Sequence, residues 1–254
     1  MYDVLIVGGG VAGLAASIFT ARTGLETLVV DGRRPNASTE DRPSDGESIL
    51  ARNASLENYP GLPAGFDARR YLQLTREQAT DAGASFEPGR VTSVDPSGDG
   101  FVVSTDAGES LETRRVVAAS WPDSSYLESL EVEREQRGSK HVVDVDAAGR
   151  TAVDGVYAAG RIAGEPHQAI VAAGHGSKVA LAVVHDADVP FYHDWIAPEG
   201  YFTGRDREVP PGCAEIDDDE RRARDERARE TMLERLAEPL DATPTMHPSV
   251  DDDT

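Results

Sequence analysis

A chain of 254 residues with 39% apolar content can bury a full core, as one large domain or two small ones. Its 46 acidic residues against 25 basic ones, net −21, create a field that repels phosphate backbones and argues against nucleic acid as a partner. No run approaches the roughly 20 uninterrupted apolar residues of a membrane span, and Met1 leads into a strand-like run instead of a basic, then apolar, signal, so the expected setting is the cytoplasm with no membrane partner.

Residues 3–7 read DVLIV, a short buried strand; residues 10–23 continue at helical spacing, and 26–30 give a second strand ending at Asp31. The polar stretch 32–48, rich in Pro, Ser, Asp and Arg, reads as a surface loop. Helical character returns over 67–82, with Asp67 as N-cap and Gly83 as stop, and a short strand follows at 84–87. Strand-like runs at 91–94, 101–105 and 116–119, broken by the turn-rich 96–100 and by Ala107-Gly108, predict a β-meander feeding a buried strand. Runs at 141–145 and 155–159, with a turn at 147–149, lead through Gly160 into a helix expected over 167–185. Residues 1–185 thus predict an α/β, Rossmann-like dinucleotide-binding domain with a parallel sheet, helices and a β-meander. Beyond it, 186–214 carries Phe191, Tyr192, Trp195, Tyr201 and Phe202 among prolines and reads as an extended arm, either covering apolar surface or closing over the site as a lid. Residues 215–240 predict a charged helix with one docked end, where Met232, Leu233, Leu236 and Leu240 gather, and 241–254 a disordered tail.

Only Lys140 and Lys178 are lysines. Acids spread along the chain, with arginine in place of lysine, suit a surface kept hydrated in concentrated salt and point to a halophilic setting; an ordinary acidic protein is the alternative. Cys213 is the only cysteine, so these residues can form no internal disulfide and no dithiol pair. The six histidines show no compact ligand spacing, and no metal site is expected. His175, eight residues beyond His167, has a helix-packing reading and an acid-base one.

Gly8-Gly9-Gly10-Val11-Ala12-Gly13 fits G-x-G-x-x-G with a strand before it and a helix after it. Gly8 permits the tight turn, Gly10 lets backbone approach a pyrophosphate, and Gly13 lets the helix pack close. The helix start at Val11 and Ala12 offers free N–H groups to phosphates. Asp31 is placed to accept hydrogen bonds from adenosine ribose hydroxyls. An adenine dinucleotide follows, with FAD or NAD(P) both open on these residues; Arg33 and Arg34 could face the 2′-phosphate of NADP or stay solvated.

Three stretches in order resemble the low-molecular-weight thioredoxin reductase family of FAD-dependent pyridine nucleotide-disulfide oxidoreductases. They are the glycine turn, the LENYPGLP run at 56–63, and TAVDGVYAAGRIAGEPHQAIVAAGHGSK at 151–178. The resemblance covers 1 to about 185 and implies FAD as cofactor and a homodimer. It implies Asn58 beside the flavin ring, Val91 contacting adenine through its backbone, and Gly160 against the ribityl chain. His167, Gln168 and Ala169 would open the last helix, whose N–H groups face the pyrimidine edge of the flavin. The chain departs from the family at three places. The family's Gly-Asp is here Gly160-Arg161, where Arg161 could pair with the pyrophosphate, with Glu165, or obstruct the flavin. The family's Ala-Thr-Gly is Ala119-Ser120-Trp121. Where the family inserts an NADPH domain with its Cys-x-x-Cys, the stretch between Trp121 and His141 is too short for one. The expected function is therefore that of an FAD-dependent oxidoreductase using an external electron donor and an unidentified acceptor. A non-enzymatic nucleotide-binding scaffold is the rival, and a flavin oxidase using oxygen a third reading.

Overall fold

The computed structural model describes residues 1–32, 48–138, 140–241 and 243–244. Most of the polar loop at 32–48, with Arg33 and Arg34, and most of the tail lie outside the described residues. The chain divides into two compact units, one spanning Met1–Ala187 and the other Asp188–Asp241. No helix among the described residues is long and apolar enough to cross a membrane.

The first unit opens with β1 (Val4–Val7), α1 (Val11–Arg22) and β2 (Thr27–Asp31). A short 3-10 helix (Ile49–Arg52), α2 (Ala68–Asp81) and β3 (Ser85–Pro88) follow. Next come β4 (Val91–Ser97), β5 (Gly100–Thr105), β6 (Ser110–Thr113) and β7 (Val116–Ala118). A 3-10 helix (Ser125–Leu130) leads to β8 (Arg134–Arg137) and β9 (Lys140–Val143), and β10 (Val156–Ala158), a 3-10 helix (Gly160–Ala163) and α3 (Ala169–Asp186) complete the unit. This is the α/β, Rossmann-type fold expected.

Five strands form a parallel sheet in the order β10-β7-β1-β2-β3. Strands β1, β2, β7 and β10 are buried at every position, as continuous Val, Ile, Leu and Ala runs must be when both faces of a parallel sheet are covered. On one side Leu5, Leu28, Val116 and Val156 join Phe101 and Val103 of the antiparallel meander β4-β5-β6. Helix α1 is buried at ten of its twelve positions because its small residues let α3 and α2 pack against it. Chain order reverses at β1, whose neighbours β2 and β7 lead away in opposite directions, and such a switch point opens a crevice at the strands' carboxyl ends.

Several boundaries differ from the sequence reading. The meander's third strand, β6, was not expected, because its SLET has a single apolar residue, Leu111, too little to show a period. Pro96 lies inside β4 and not in the turn, which β4's place at the edge of its sheet permits, since proline lacks a ladder donor. The segment before His141 folds as a 3-10 turn and, with β9, the hairpin β8-β9. Helix α3 begins at Ala169, not His167, because Gln168 is extended (φ −132°, ψ 134°) and serves as N-cap.

In the second unit the expected extended arm is folded. Here β11 (Trp195–Pro198) pairs in parallel with β12 (Cys213–Ile216). The Glu215 carboxylate accepts N–H bonds from Gly200, Phe202 and Thr203 and the Thr203 hydroxyl (2.7 Å), closing the loop around the 3-10 turn Thr203–Arg205. Trp195, Tyr201 and Phe202 meet edge to face with centroids 4.7–5.8 Å apart, so ring contacts consolidate the loop. Helix α4 (Asp218–Leu236) follows an Asp217 cap, but none of its residues is buried. Of the apolar residues gathered toward its end, Met232, Leu233 and Leu236 are exposed.

Candidate functional site

The carboxyl ends of β1, β2 and β7 open onto a cavity of about 1730 Å³. That exceeds the roughly 300–1,000 Å³ of an ordinary small-ligand pocket and suits an extended dinucleotide. Its floor is the glycine turn. Gly8 adopts φ +112°, a conformation glycine alone takes freely, and donates its N–H to Val30 O at 2.8 Å. A methyl group on Gly8 would stand 2.9 Å from Ala119 O, and one on Gly13 would collide with Gly8 O. These glycines bring α1 tight under β1 and β7, as their spacing implies. Gly10 caps α1 with no side-chain bond, so the first N–H groups of the helix, from Val11 onward, keep their donor capacity at the cavity wall.

A second helix start meets the same cavity. Gln168, N-cap of α3, makes no side-chain cap bond to its own helix. Instead its Oε1 accepts from Asn58 Nδ2 at 2.8 Å, joining segments 110 residues apart. The start of α1 meets the body of α3 and the turn before it through glycine: a methyl on Gly176 would collide with Ala12 O, and one on Gly160 would lie 2.7 Å from Ala12 Cβ. Two helix N-termini, each carrying roughly half a positive charge, therefore border one cavity.

The side-chain charges in that wall run against the chain as a whole. Among the described lining residues, Arg52, Arg90, Lys140 and Arg161 stand with Glu57, Asp106 and Asp123, one more cation than anion within a strongly acidic chain. Arg90 pairs with Asp123 at 2.6 Å. Arg161 Cζ lies 4.9 Å from the Trp121 ring centroid, a cation–π contact between two positions that depart from the family pattern. Glu165, a partner considered for Arg161, instead lies 3.9 Å from His175 Nε2. His175 Nδ1 accepts the Gly160 N–H at 3.0 Å. Burial lowers the His175 pKa against the opposing pull of Glu165, with Lys178 adding to the lowering, so the acceptor nitrogen stays unprotonated near neutral pH. Burial, then Arg161, also lowers the pKa of His167.

Of the residues singled out from sequence, Gly8, Gly10, Val11, Ala12, Asn58, Val91, Arg161, His167, Gln168 and Ala169 line the cavity. Gly13, Asp31 and Gly160 support it from behind: Gly13 under Gly8, Asp31 against Gly9, Gly160 against Ala12. The Asp31 carboxylate already receives Arg76 Nη1 at 2.6 Å, with the Arg76 guanidinium 4.0 Å over Phe86. Sequence reasoning missed Arg76, the Asn58–Gln168 bond and the His175–Gly160 bond, since each joins residues with no local spacing signal. It also missed Arg69, a buried cation whose Nη atoms hold Ala51 O (3.2 Å), Asn53 O (2.9 Å) and Ala54 O (3.3 Å) at the cavity's edge. Among the described residues no group of three or more His, Cys, Asp or Glu could hold a metal ion.

The residues present fit a flavin dinucleotide: a glycine turn with no room for a Cβ at Gly8, Gly9 or Gly13 and two helix starts without side-chain caps. The family profile of pyridine nucleotide-disulphide oxidoreductases matches residues 62–176. Thioredoxin reductase of Aquifex aeolicus (strain VF5) is 34% identical over 120 residues, 47% of this chain and 34% of that protein. The chain spans between about a third and two fifths of the length of the first curated relatives it matches. A thioredoxin reductase structure from Gloeobacter violaceus superposes with TM-score 0.60 at 21% identity, covering 72% of this chain and 94% of that one. A ferredoxin-flavin thioredoxin reductase from Clostridium acetobutylicum superposes with TM-score 0.56 at 17% identity, covering 73% and 98%. The shared fold is thus that of the thioredoxin reductases.

Proposed function

We propose, on the premise that this chain is a thioredoxin reductase-like relative of the pyridine nucleotide-disulphide oxidoreductases, that it binds FAD and exchanges electrons with a donor and an acceptor held on other molecules. The observation that carries the reading is the meeting of two uncapped helix starts on one long cavity. One start suits a pyrophosphate; the other, with Gln168 oriented by Asn58, suits the pyrimidine edge of a flavin, where reduction places negative charge. NAD(P) would leave that second start without an anion to stabilise, which favours FAD.

Bound FAD would supply hydride or single-electron transfer. The chain's own residues would position it: the glycine turn admits the diphosphate, Asp31 and Val91 flank the adenosine end, and the α3 start stabilises reduced-state charge. The connection between β7 and β9, a 3-10 turn leading into the first strand of a hairpin, supports the reading of an external donor, since a nicotinamide-binding βαβ unit needs about 30 residues or more. The Clostridium acetobutylicum protein, named a ferredoxin-flavin thioredoxin reductase, is a neighbour of the same fold. With one cysteine in the chain, disulfide reduction by an internal dithiol is not part of the proposal.

The Arg161–Trp121 contact inside the wall favours one rival, a nucleotide-binding scaffold without a redox role. The visible spectrum of the purified protein in high salt separates the two. Oxidised-flavin bands that bleach with dithionite are expected; a colourless protein that FAD cannot reconstitute would remove the flavin reading. Reduced protein mixed with air then reports an oxidase by stoichiometric peroxide.

A further inference from the structure

The departures at Trp121 and Arg161 are remote in sequence yet adjacent in space, and their surroundings fix where the arginine works. Arg161 is the second residue of a 3-10 turn whose first, Gly160, rests on Ala12 in the opening turn of α1. His175 holds that turn by accepting the Gly160 N–H at 3.0 Å. Trp121 leaves β7 beside the glycine turn, since Ala119 O sits where a Gly8 side chain would go. The guanidinium lies 4.9 Å from the centre of the Trp121 ring, and among the described residues no carboxylate forms an ion pair with it. In a chain of net charge −21, an arginine held over an indole and lacking an acidic partner among those residues is poised for an anion supplied from outside. A guanidinium held over a ring keeps its N–H donors, and its planar fork suits bidentate donation to phosphoryl oxygens.

We propose that Arg161, backed by Trp121, binds the diphosphate of the dinucleotide in this cavity and selects dinucleotides over flavins that lack one. The inference rests on the proposal that the cavity takes FAD, and deepens it by assigning a specificity-determining residue. A carboxylate here would accept a hydroxyl; Arg161 instead adds a fixed cation beside the α1 start, so the two act on the same anion.

Affinities of the full chain for FAD, ADP and riboflavin, measured calorimetrically at several salt concentrations, test this. Arg161→Gln is expected to weaken FAD and ADP by a similar factor, about tenfold or more, as for loss of a charge-assisted contact. Riboflavin binding should not change, and FAD binding by the variant should depend less steeply on salt. Arg161→Lys should restore part of the affinity, and Trp121→Leu should lose a smaller part of it. Far-ultraviolet circular dichroism of each variant checks folding. Wild-type affinity for FAD with an unchanged Arg161→Gln variant overturns the inference and leaves the flavin reading standing. Loss of riboflavin affinity with ADP unaffected also overturns it, by moving the contact to the flavin ring. A wild-type protein that binds ADP through Arg161 but takes no FAD keeps the diphosphate contact and overturns the flavin reading; one that binds neither overturns both.

Discussion

At the level of single residues, Gly176 and His175 carry consequences for the site that their neighbours do not. A methyl on Gly176 would collide with the Ala12 carbonyl, so Gly176→Ala must push α3 away from α1. Overpacking of this kind costs about 1–3 kcal/mol. The expected outcome is a lower thermal midpoint together with weaker FAD binding, because both helix starts shift; an unchanged midpoint would mean that the helices separate freely. The pH dependence of His175 has a definite sign. Burial holds its folded pKa below the ordinary value of about 6.5, so acidification protonates the unfolded chain first. Stability present above about pH 6.5 is lost as pH falls through the folded pKa, and protonation also removes the acceptor for the Gly160 N–H. His175→Asn places an untitratable acceptor near the same point and should flatten the decline in thermal midpoint between about pH 7 and pH 5. The glycines of the turn were legible in sequence because each meets a need set by neighbours in the chain. His175 was not: its partner lies on a different element.

At the scale of elements, α2 does more than cover the sheet edge. Asp67 caps it by accepting from Arg69 N (2.8 Å) and Arg70 N (2.9 Å), and also pairs with the Arg69 guanidinium, which holds the carbonyls of residues 51, 53 and 54 at the cavity edge. Asp67→Ala should cost about 0.5–2 kcal/mol, the range for a lost N-cap, and at its upper end because a buried cation loses its counter-charge. Urea unfolding reads the cost; a change under about 0.3 kcal/mol would show that other acceptors suffice for Arg69. The cap itself was readable from Asp67 before an amphipathic run, since capping is local. Elements whose form depends on pairing were not: SLET becomes β6 only beside β5, and the Trp195 and Cys213 runs become strands only by pairing with each other. Their sequences lack a period that would show it.

Across the molecule, the acid excess is a general term that no single contact resolves. Self-repulsion among 46 carboxylates acts over about 10 Å at 0.1 M salt and about 3 Å at 1 M. Thermal stability should therefore rise with added KCl into the molar range; a midpoint that falls on going from 0.1 M to 2 M would contradict the halophilic reading of the composition. FAD binding should respond the other way if the diphosphate meets Arg161, which separates global screening from the local contact. Charge and composition are properties of the chain as written, and so is the βαβ start, where strand, turn, helix and acid succeed one another within 31 residues. The sequence by itself determined that opening unit, its glycine cradle and the kind of ligand a helix start accepts. Only the tertiary structure decided that Asn58 bonds Gln168 at the α3 start, that Arg161 sits over Trp121, and that the aromatic segment pairs with the Cys213 strand. Those depend on contacts between residues far apart in the chain, whose free energy arises from packing and leaves no local pattern to read.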